Sequence, residues 1–526
     1  MKKNIWTNTI IFVAIIIFLN LVSISMFTRI DFTKGKIYAL AKSSKESVRN
    51  LEDRLVVKAY FSQNLPGEYA DTRRLVQDKL ADYQAYSKGK LRYEFIDPAS
   101  EDELKQEAQQ NGIFPASMRV IENDKFEVRE VYMGLVFHHQ GKKESIPLIQ
   151  DTRGLEYDIT KTIKKITSAG LKKIALFPVQ PEQPQQMQGY PQQQQQQMQG
   201  DYTSIRQMIS DNYELSQTDL DEPLLDVEAL IFTGVEDSLA NEQLYNLDQY
   251  IMNGGKIVMF QDRITADLQT QTAEPLRSNL FNLLEHYGIK IKTNLVADTE
   301  CGQINIQQQR GFFRMNTPVS YPFLPLVNNV NKENMMVKNV EQMQMVFVSE
   351  IDTVSTLNYE PLLYSSAKSG LVSFPQLDIG VQKFMNKDIT GMYNEGPFNI
   401  GGIFTGNFIS YFAGSEDYPD AIPATTDAEI IVIPDSEFIK DSGGAGMKGN
   451  SEFALNAVDY LASESTLIEI RSREVEYKPL KEISSGAKKF IRWINILLPS
   501  ILLILVGILR YQKELQRRKY LGELYE

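Results

Sequence analysis

Gly444-x-Gly446-x-x-Gly449 has the spacing of the glycine fingerprint that cradles a dinucleotide pyrophosphate, and Glu469 follows at about the distance of its ribose-binding acid. The surrounding sequence opposes that chemistry. A fingerprint follows its strand at once and opens a domain, whereas Pro434–Ser442 intervenes here and the motif closes one. Gly443–Gly449 reads instead as a flexible loop before a helix capped by Asn450 or Ser451. His138 and His139 are adjacent on an expected strand and so point to opposite faces, a poor start for chelation. His286, the third and last histidine, lies on an expected helix with no cysteine beside it. Cys301 is the single cysteine, which excludes an intramolecular disulfide. It stands near a strand end and not on a sharp nucleophile turn, and no histidine follows His286 to serve a Cys-His site. The chain contains neither G-x-x-x-x-G-K-[ST] nor G-x-S-x-G. Paired carboxylates are too numerous to single any out. The expectation is no catalytic, cofactor-binding or metal-ligating residues: a body that binds, with no cofactor.

The elements that carry these residues read as α/β. Leu55–Phe61 is a strand, Leu75–Ser87 a helix and Leu91–Ile96 a second strand. Glu101–Asn111 is a short helix closed by Gly112, and Met118–Glu122, Val128–Phe137 and Glu144–Ile149 read as a β-meander. This order predicts a thioredoxin-like domain over 29–168. Ser62-Gln63-Asn64-Leu65-Pro66 follows its first strand, so no thiolate is available for redox chemistry. After a connecting helix at Leu155–Ser168, a second α/β domain over 169–470 predicts a parallel sheet with helices on both faces. Its clearest βαβ unit is Ala229–Gly234, Leu239–Asn253 and Lys256–Gln261, with Gly254-Gly255 as the helix stop. Residues 180–200 are almost all Gln, Pro, Met and Gly and read as a low-complexity loop. Residues 303–425 lose helical periodicity and read as a β-rich insertion.

Both ends of the chain are apolar. The stretches Ile5–Phe27 and Phe490–Leu509 are each near the ~20 residues that cross a bilayer as helix. They predict an anchor at 1–28, a linker at 471–489, a second span at 490–510 and a basic tail at 511–526. Lys2 and Lys3 before the first stretch, and Arg510, Lys513, Arg517, Arg518 and Lys519 after the second, put both termini in the cytoplasm. The body then lies outside the cytoplasm. The rival for the first stretch is a signal peptide cleaved after Ser23-Ile24-Ser25. Net charge is −12, and without the charges at the two ends the body carries about −18. Such a surface does not suit nucleic acid.

Three segments, Ala229-Leu-Ile-Phe-Thr-Gly234, Leu247-Asp-Gln-Tyr-Ile-Met-Asn-Gly-Gly-Lys-Ile-Val-Met-Phe260 and Gly449-Asn-Ser-Glu-Phe-Ala-Leu-Asn-Ala-Val-Asp-Tyr-Leu461, resemble the glutamine-amidotransferase-like domains of ABC-type auxiliary transport proteins. Asp31-Phe-Thr-Lys-Gly-Lys-Ile-Tyr-Ala-Leu40, after the first apolar stretch, is also similar to that family. The resemblance implies a non-enzymatic subunit in a bacterial inner membrane, its body in the periplasm, partnered by an ABC permease and a cytoplasmic ATPase. It also implies a part in gliding motility and the surface-protein export tied to it, alongside other envelope motility or secretion proteins. Two alternatives compete: a periplasmic solute-binding module for a sugar or peptide, and a hydrolase using Cys301.

Overall fold

The computed structural model describes residues 39–474, apart from 64, 66–68, 123–124, 153, 169, 180–200, 311–312, 353–355 and 386, together with 11–12, 14–15, 507–508 and 510–516. The Gln-rich loop, most of both expected spans and the linker beyond Glu474 lie outside the described residues. Among the described residues, no helix is long and apolar enough to cross a membrane. Residues 1–475 form one unit and residues 476–526 another, in which Gly507, Ile508 and Arg510–Gln516 are helical.

The first part of the body runs α1 (Lys42–Arg49), β1 (Leu55–Phe61), α2 (Ala70–Tyr86), β2 (Leu91–Ile96), α3 (Asp102–Gln110), β3 (Ala116–Glu122), β4 (Lys125–Val131), β5 (Met133–His139), β6 (Lys142–Ile146) and α4 (Leu155–Thr167). Its sheet has the order β2-β1-β5-β6, with β1 parallel to β2 and antiparallel to β5. Val57, Phe61, Leu135 and Phe137 face α1, α2 and α4, while Tyr60 and Val136 face Ala108 of α3. The expected strand Val128–Phe137 is two strands. Val131 pairs with Ala116 in a separate β3–β4 hairpin, and Met133 pairs with Phe61. The change of partner falls at Tyr132, whose N–H donates to Ser62 Oγ and whose carbonyl accepts from Ser62 N–H, both at 3.0 Å. Val131, Tyr132 and Met133 are all buried, so the apolar run conceals the break.

The second part continues with β7 (Lys173–Phe177), α5 (Thr203–Ser210), β8 (Glu214–Gln217), β9 (Ala229–Phe232), α6 (Asn241–Met252), β10 (Lys256–Phe260), β11 (Ile264–Asp267), β12 (Thr272–Pro275) and α7 (Leu280–Tyr287). There follow β13 (Asn294–Asp298), β14 (Cys301–Arg310), β15 (Phe313–Val327), β16 (Asn329–Val330), β17 (Met343–Gln344), β18 (Asn358–Tyr364), β19 (Ser369–Ser373) and β20 (Asn399–Thr405). The last elements are β21 (Phe408–Ile409), β22 (Ala424–Thr425), β23 (Glu429–Ile433), α8 (Lys448–Leu461) and α9 (Ser465–Glu474).

One sheet of order β16-β18-β20-β23-β10-β9-β7-β8 organises them. Alternation along its strands loads both faces. Ile174, Ile231, Val258 and Ile431 pack with α5 and α8, whereas Phe177, Phe232, Met259 and Val432 pack with α6 and α7. Strands buried on both faces read as continuous apolar runs, as Ala229–Phe232 and Ile430–Ile433 do. The sheet is mixed: β8, β7, β9, β10 and β23 are parallel, and β20, β18 and β16 continue it antiparallel. The expected insertion at 303–425 is therefore corrected in part, because β16, β18 and β20 belong to this central sheet. Glycine and proline disguise them. Gly402 has no room for a Cβ, which would come within 2.3 Å of the Tyr359 ring, and Pro361 sits at a register shift. What remains apart is a smaller layer around Tyr321, Phe323, Phe347 and Phe384, built on β13, β14, β15 and β19.

Candidate functional site

The parallel strands follow one another in space as β8-β7-β9-β10-β23, so the chain turns back between β7 and β9. Two neighbouring strands whose connections leave in opposite directions open a crevice beyond their carboxyl ends. A cleft of about 1030 Å³ occurs there, lined by Pro178 after β7, Thr233 and Gly234 after β9, Asp262 after β10 and Ser436 after β23. Gly234, at φ +96°, turns the chain out of β9 where a Cβ would meet the Phe260 carbonyl oxygen at 2.9 Å. Gln261 ties the next loop to it: its side-chain oxygen accepts from Val235 N–H at 2.8 Å, and its amide donates to the Val235 carbonyl at 3.0 Å.

The cleft wall is acidic. Asp262 accepts from Ser436 N–H at 2.8 Å and from the Ser436 hydroxyl. Behind it the fully buried Asp435 accepts from Val346 N–H at 2.7 Å. Burial raises both carboxyls above the usual carboxylate range, and the charge of Asp262 raises Asp435 further. Lys440 is opposed by burial, yet Glu437, 2.6 Å away, keeps its ammonium above the ordinary lysine value. Among the described residues no histidine or cysteine lines the cleft. Ser436 spends its hydroxyl proton on Asp262 and has no imidazole to take it, so the geometry suits binding more than acyl transfer.

A second constellation lies where the chain enters and leaves the body. Helix α9 runs antiparallel to α4: Lys164 meets Glu464 at 2.6 Å near one end, and Arg471 donates to the Tyr157 hydroxyl at 2.8 Å near the other. Arg471 also bonds Asp459 Oδ2 at 2.7 Å and the Asn456 side chain, both on α8. Asp459 is fully buried and accepts from the Tyr213 hydroxyl at 2.6 Å. Next to Tyr157, the buried Glu156 accepts from Ala41 N–H at 2.6 Å, Ser44 Oγ at 2.7 Å and Lys79 Nζ at 2.8 Å. Entry through α1 and exit through α9 thus meet at one end of α4.

The residues singled out in the sequence do not come together. His139 is buried with Nδ1 3.1 Å from the Arg54 carbonyl, and His138 lies on the opposite face, where burial lowers its pKa. His286 Nε2 lies 3.2 Å from the Ser410 carbonyl, and its ring contacts Tyr411 edge to face. Burial and Asp298 push the Cys301 thiol up to about 11, the opposite of nucleophile activation. Among the described residues, no three His, Cys, Asp or Glu side chains gather to hold a metal ion.

Two glycines of the motif, Gly444 and Gly449, are packed, and Gly446 faces open space. Gly444–Gly446 forms a 3-10 turn, and α8 starts at Lys448, so neither Asn450 nor Ser451 is its cap. Asn450 instead accepts from Gln344 N–H at 2.9 Å and donates to the carbonyls of Gln344 and Phe438. Its neighbour Gly449 lies against the backbone at Glu341 and Gln342. The acids of the cleft went unnoticed in the sequence. The signal for them was a strand followed at once by Asp, at Phe260-Gln261-Asp262 and Ile433-Pro434-Asp435.

Comparison with known proteins adds a family. An uncharacterized protein of Borreliella burgdorferi (strain ATCC 35210 / DSM 4680 / CIP 102532 / B31) is 25% identical over 525 residues, covering 96% of each chain. Among solved structures, the mmIFT52 N-terminal domain is 14% identical and covers 50% of this chain and 90% of its own, with a TM-score of 0.31. That likeness is too distant to carry any argument. Residues 34–138 match a domain of unknown function. Residues 171–461, more than half of the chain, match the auxiliary family described as an ABC-type uncharacterized transport system, and the chain belongs to that family.

Proposed function

We propose that this chain is a non-enzymatic subunit of an ABC-type complex, anchored in a bacterial inner membrane by both apolar ends with its body in the periplasm. Its partners on this reading are a permease and a cytoplasmic ATPase. The observation that carries it is the convergence of entry and exit at Glu156 and Tyr157. A body whose two ends leave together can hang from one membrane by both. It can also relay to its core a displacement of either anchor. Family membership supports the ABC association, and the resemblance in overall layout to GldG of Bacteroidetes supports a role in gliding motility and surface-protein export. Purification from native membranes in mild detergent tests this. The ATPase and permease should co-elute with the chain, and a chain that elutes alone in every mild detergent overturns the reading.

The cleft favours a second reading, a solute-binding module for a sugar or peptide. A saturable thermal shift with such a ligand is its expected sign, and a flat response across broad libraries removes it.

A further inference from the structure

We infer that the cleft at the carboxyl ends of β7, β9, β10 and β23 takes a lysine-bearing peptide segment. Among the described residues Asp201, Glu236, Asp237, Asp262, Asp267 and Glu437 line it, against Lys440 alone, and Lys440 is already paired with Glu437 at 2.6 Å. Walls of one sign around a low-dielectric crevice concentrate ligands of the other sign. Crevices of this kind often hold anions at helix N-termini. Here that device is closed, because Asp441 accepts from Thr203 N–H at 2.6 Å and from Ser204 N–H at 3.2 Å at the start of α5. The cleft has turned its anion subsite over to a carboxylate of its own.

The shape selects among cations. The carboxylates do not converge in threes as a metal would require among the described residues. They are spread along a cleft of about 1030 Å³, at the upper limit of small-molecule pockets. Leu268, Leu276, Leu324 and Phe347 are part of its apolar lining. Spread acids beside apolar side chains match lysine, whose aliphatic stem lies on apolar surface while its ammonium reaches a carboxylate. A short basic peptide with apolar residues fills this space, whereas a slender polyamine leaves the apolar wall wet. The inference stands whether or not the chain works beside an ATPase.

The test is fluorescence anisotropy of a fluorescein-labelled hexapeptide of alternating Lys and Leu, with the full chain in a neutral detergent. Saturable binding is expected, with affinity falling about tenfold or more in a Glu236→Gln, Asp237→Asn, Asp267→Asn triple variant. These positions are exposed, and Asp267→Asn keeps a side-chain oxygen for the turn that Asp267 closes with Gln269 N–H and the Thr270 hydroxyl. A control triple, Glu416→Gln, Asp417→Asn and Asp420→Asn, removes equal charge from exposed positions outside the cleft and should change affinity less than twofold. Equal losses in the two triples would mean diffuse attraction to an acidic body and would overturn the assignment. So would absence of binding, equal binding of the Glu-for-Lys peptide, or spermidine binding tighter than the peptide.

Discussion

Asp435 and Asp262 carry a pH dependence whose sign follows from their burial. Both carboxyls are raised in the folded state, so folding takes up protons there. Their stabilising protonation is complete below the unfolded value of about 3.9. It is lost as pH rises through the folded values, at up to about 1.4 kcal/mol per pH unit for each proton. Urea denaturation from pH 4 upward should show the decline, and Asp435→Asn should flatten it. An unchanged slope in the variant would refute this assignment. Cys301 gives a second expectation. A thiol at about 11 ionises roughly two-hundredfold less at pH 8 than an ordinary cysteine near 8.5, so iodoacetamide should label it correspondingly slowly. Cys301→Ala should leave co-purification of partners unchanged. The separation of His138 from His139 was legible from spacing alone. The cleft was not, because Asp262 and Ser436 lie 174 residues apart in a chain with 67 acids, and only the sheet order joins them.

Local pattern sufficed for elements whose periodicity and end signals agree. Leu55–Phe61 and Leu91–Ile96 occur at the bounds read from sequence, and Gly254 ends the chain's turn after α6 at φ +82°. It failed where one apolar run serves two sheets, as at Tyr132, and where glycine exists for close approach, as in Gly401-Gly402. Gly449 is of the second kind. A Cβ there would lie 2.5 Å from the Gln342 carbonyl oxygen and 2.6 Å from that of Glu341, and backbone cannot step aside as a side chain can. Gly449→Ala should cost about 1–3 kcal/mol, measured by chemical denaturation. A neutral result would show that α8 shifts freely against this loop. At α1, Glu156 accounts for the Ala41 N–H, the Ser44 hydroxyl and the Lys79 ammonium together. Glu156→Ala strands Lys79 and should cost about 3–5 kcal/mol, with Glu156→Gln costing less because it keeps an acceptor oxygen. Equal costs would show that packing, not the charge, holds α1.

At the scale of the whole chain, Arg471 is the bond between the exit and the core. Its side chain is 14% exposed and Asp459 is 0%, so each neutralises the other away from water. Asp459 also takes the Tyr213 hydroxyl, and Tyr213 packs with Ile174 and Ile209 beneath the sheet. A displacement of α9 therefore either breaks a buried ion pair or carries α8 and the sheet with it. The first course exposes an uncompensated charge in the interior, so the second costs less for small displacements. Removing one partner should be severe: Asp459→Ala is expected to lose about 3–5 kcal/mol, read from urea denaturation. Replacing both, as Asp459→Leu with Arg471→Met, should recover most of that stability, since an apolar pair of similar volume avoids desolvating two charges. The double variant then separates stability from transmission. If the ion pair serves only the fold, the recovered protein keeps its partners and its activity in the cell. If the pair's directionality couples exit to core, the double variant folds and binds partners normally but does not restore function. A double variant as unstable as Asp459→Ala would show that the hydroxyl bonds lost with the pair, Tyr213 to Asp459 and Tyr157 to Arg471, set the cost, and that the ion pair is not the bond.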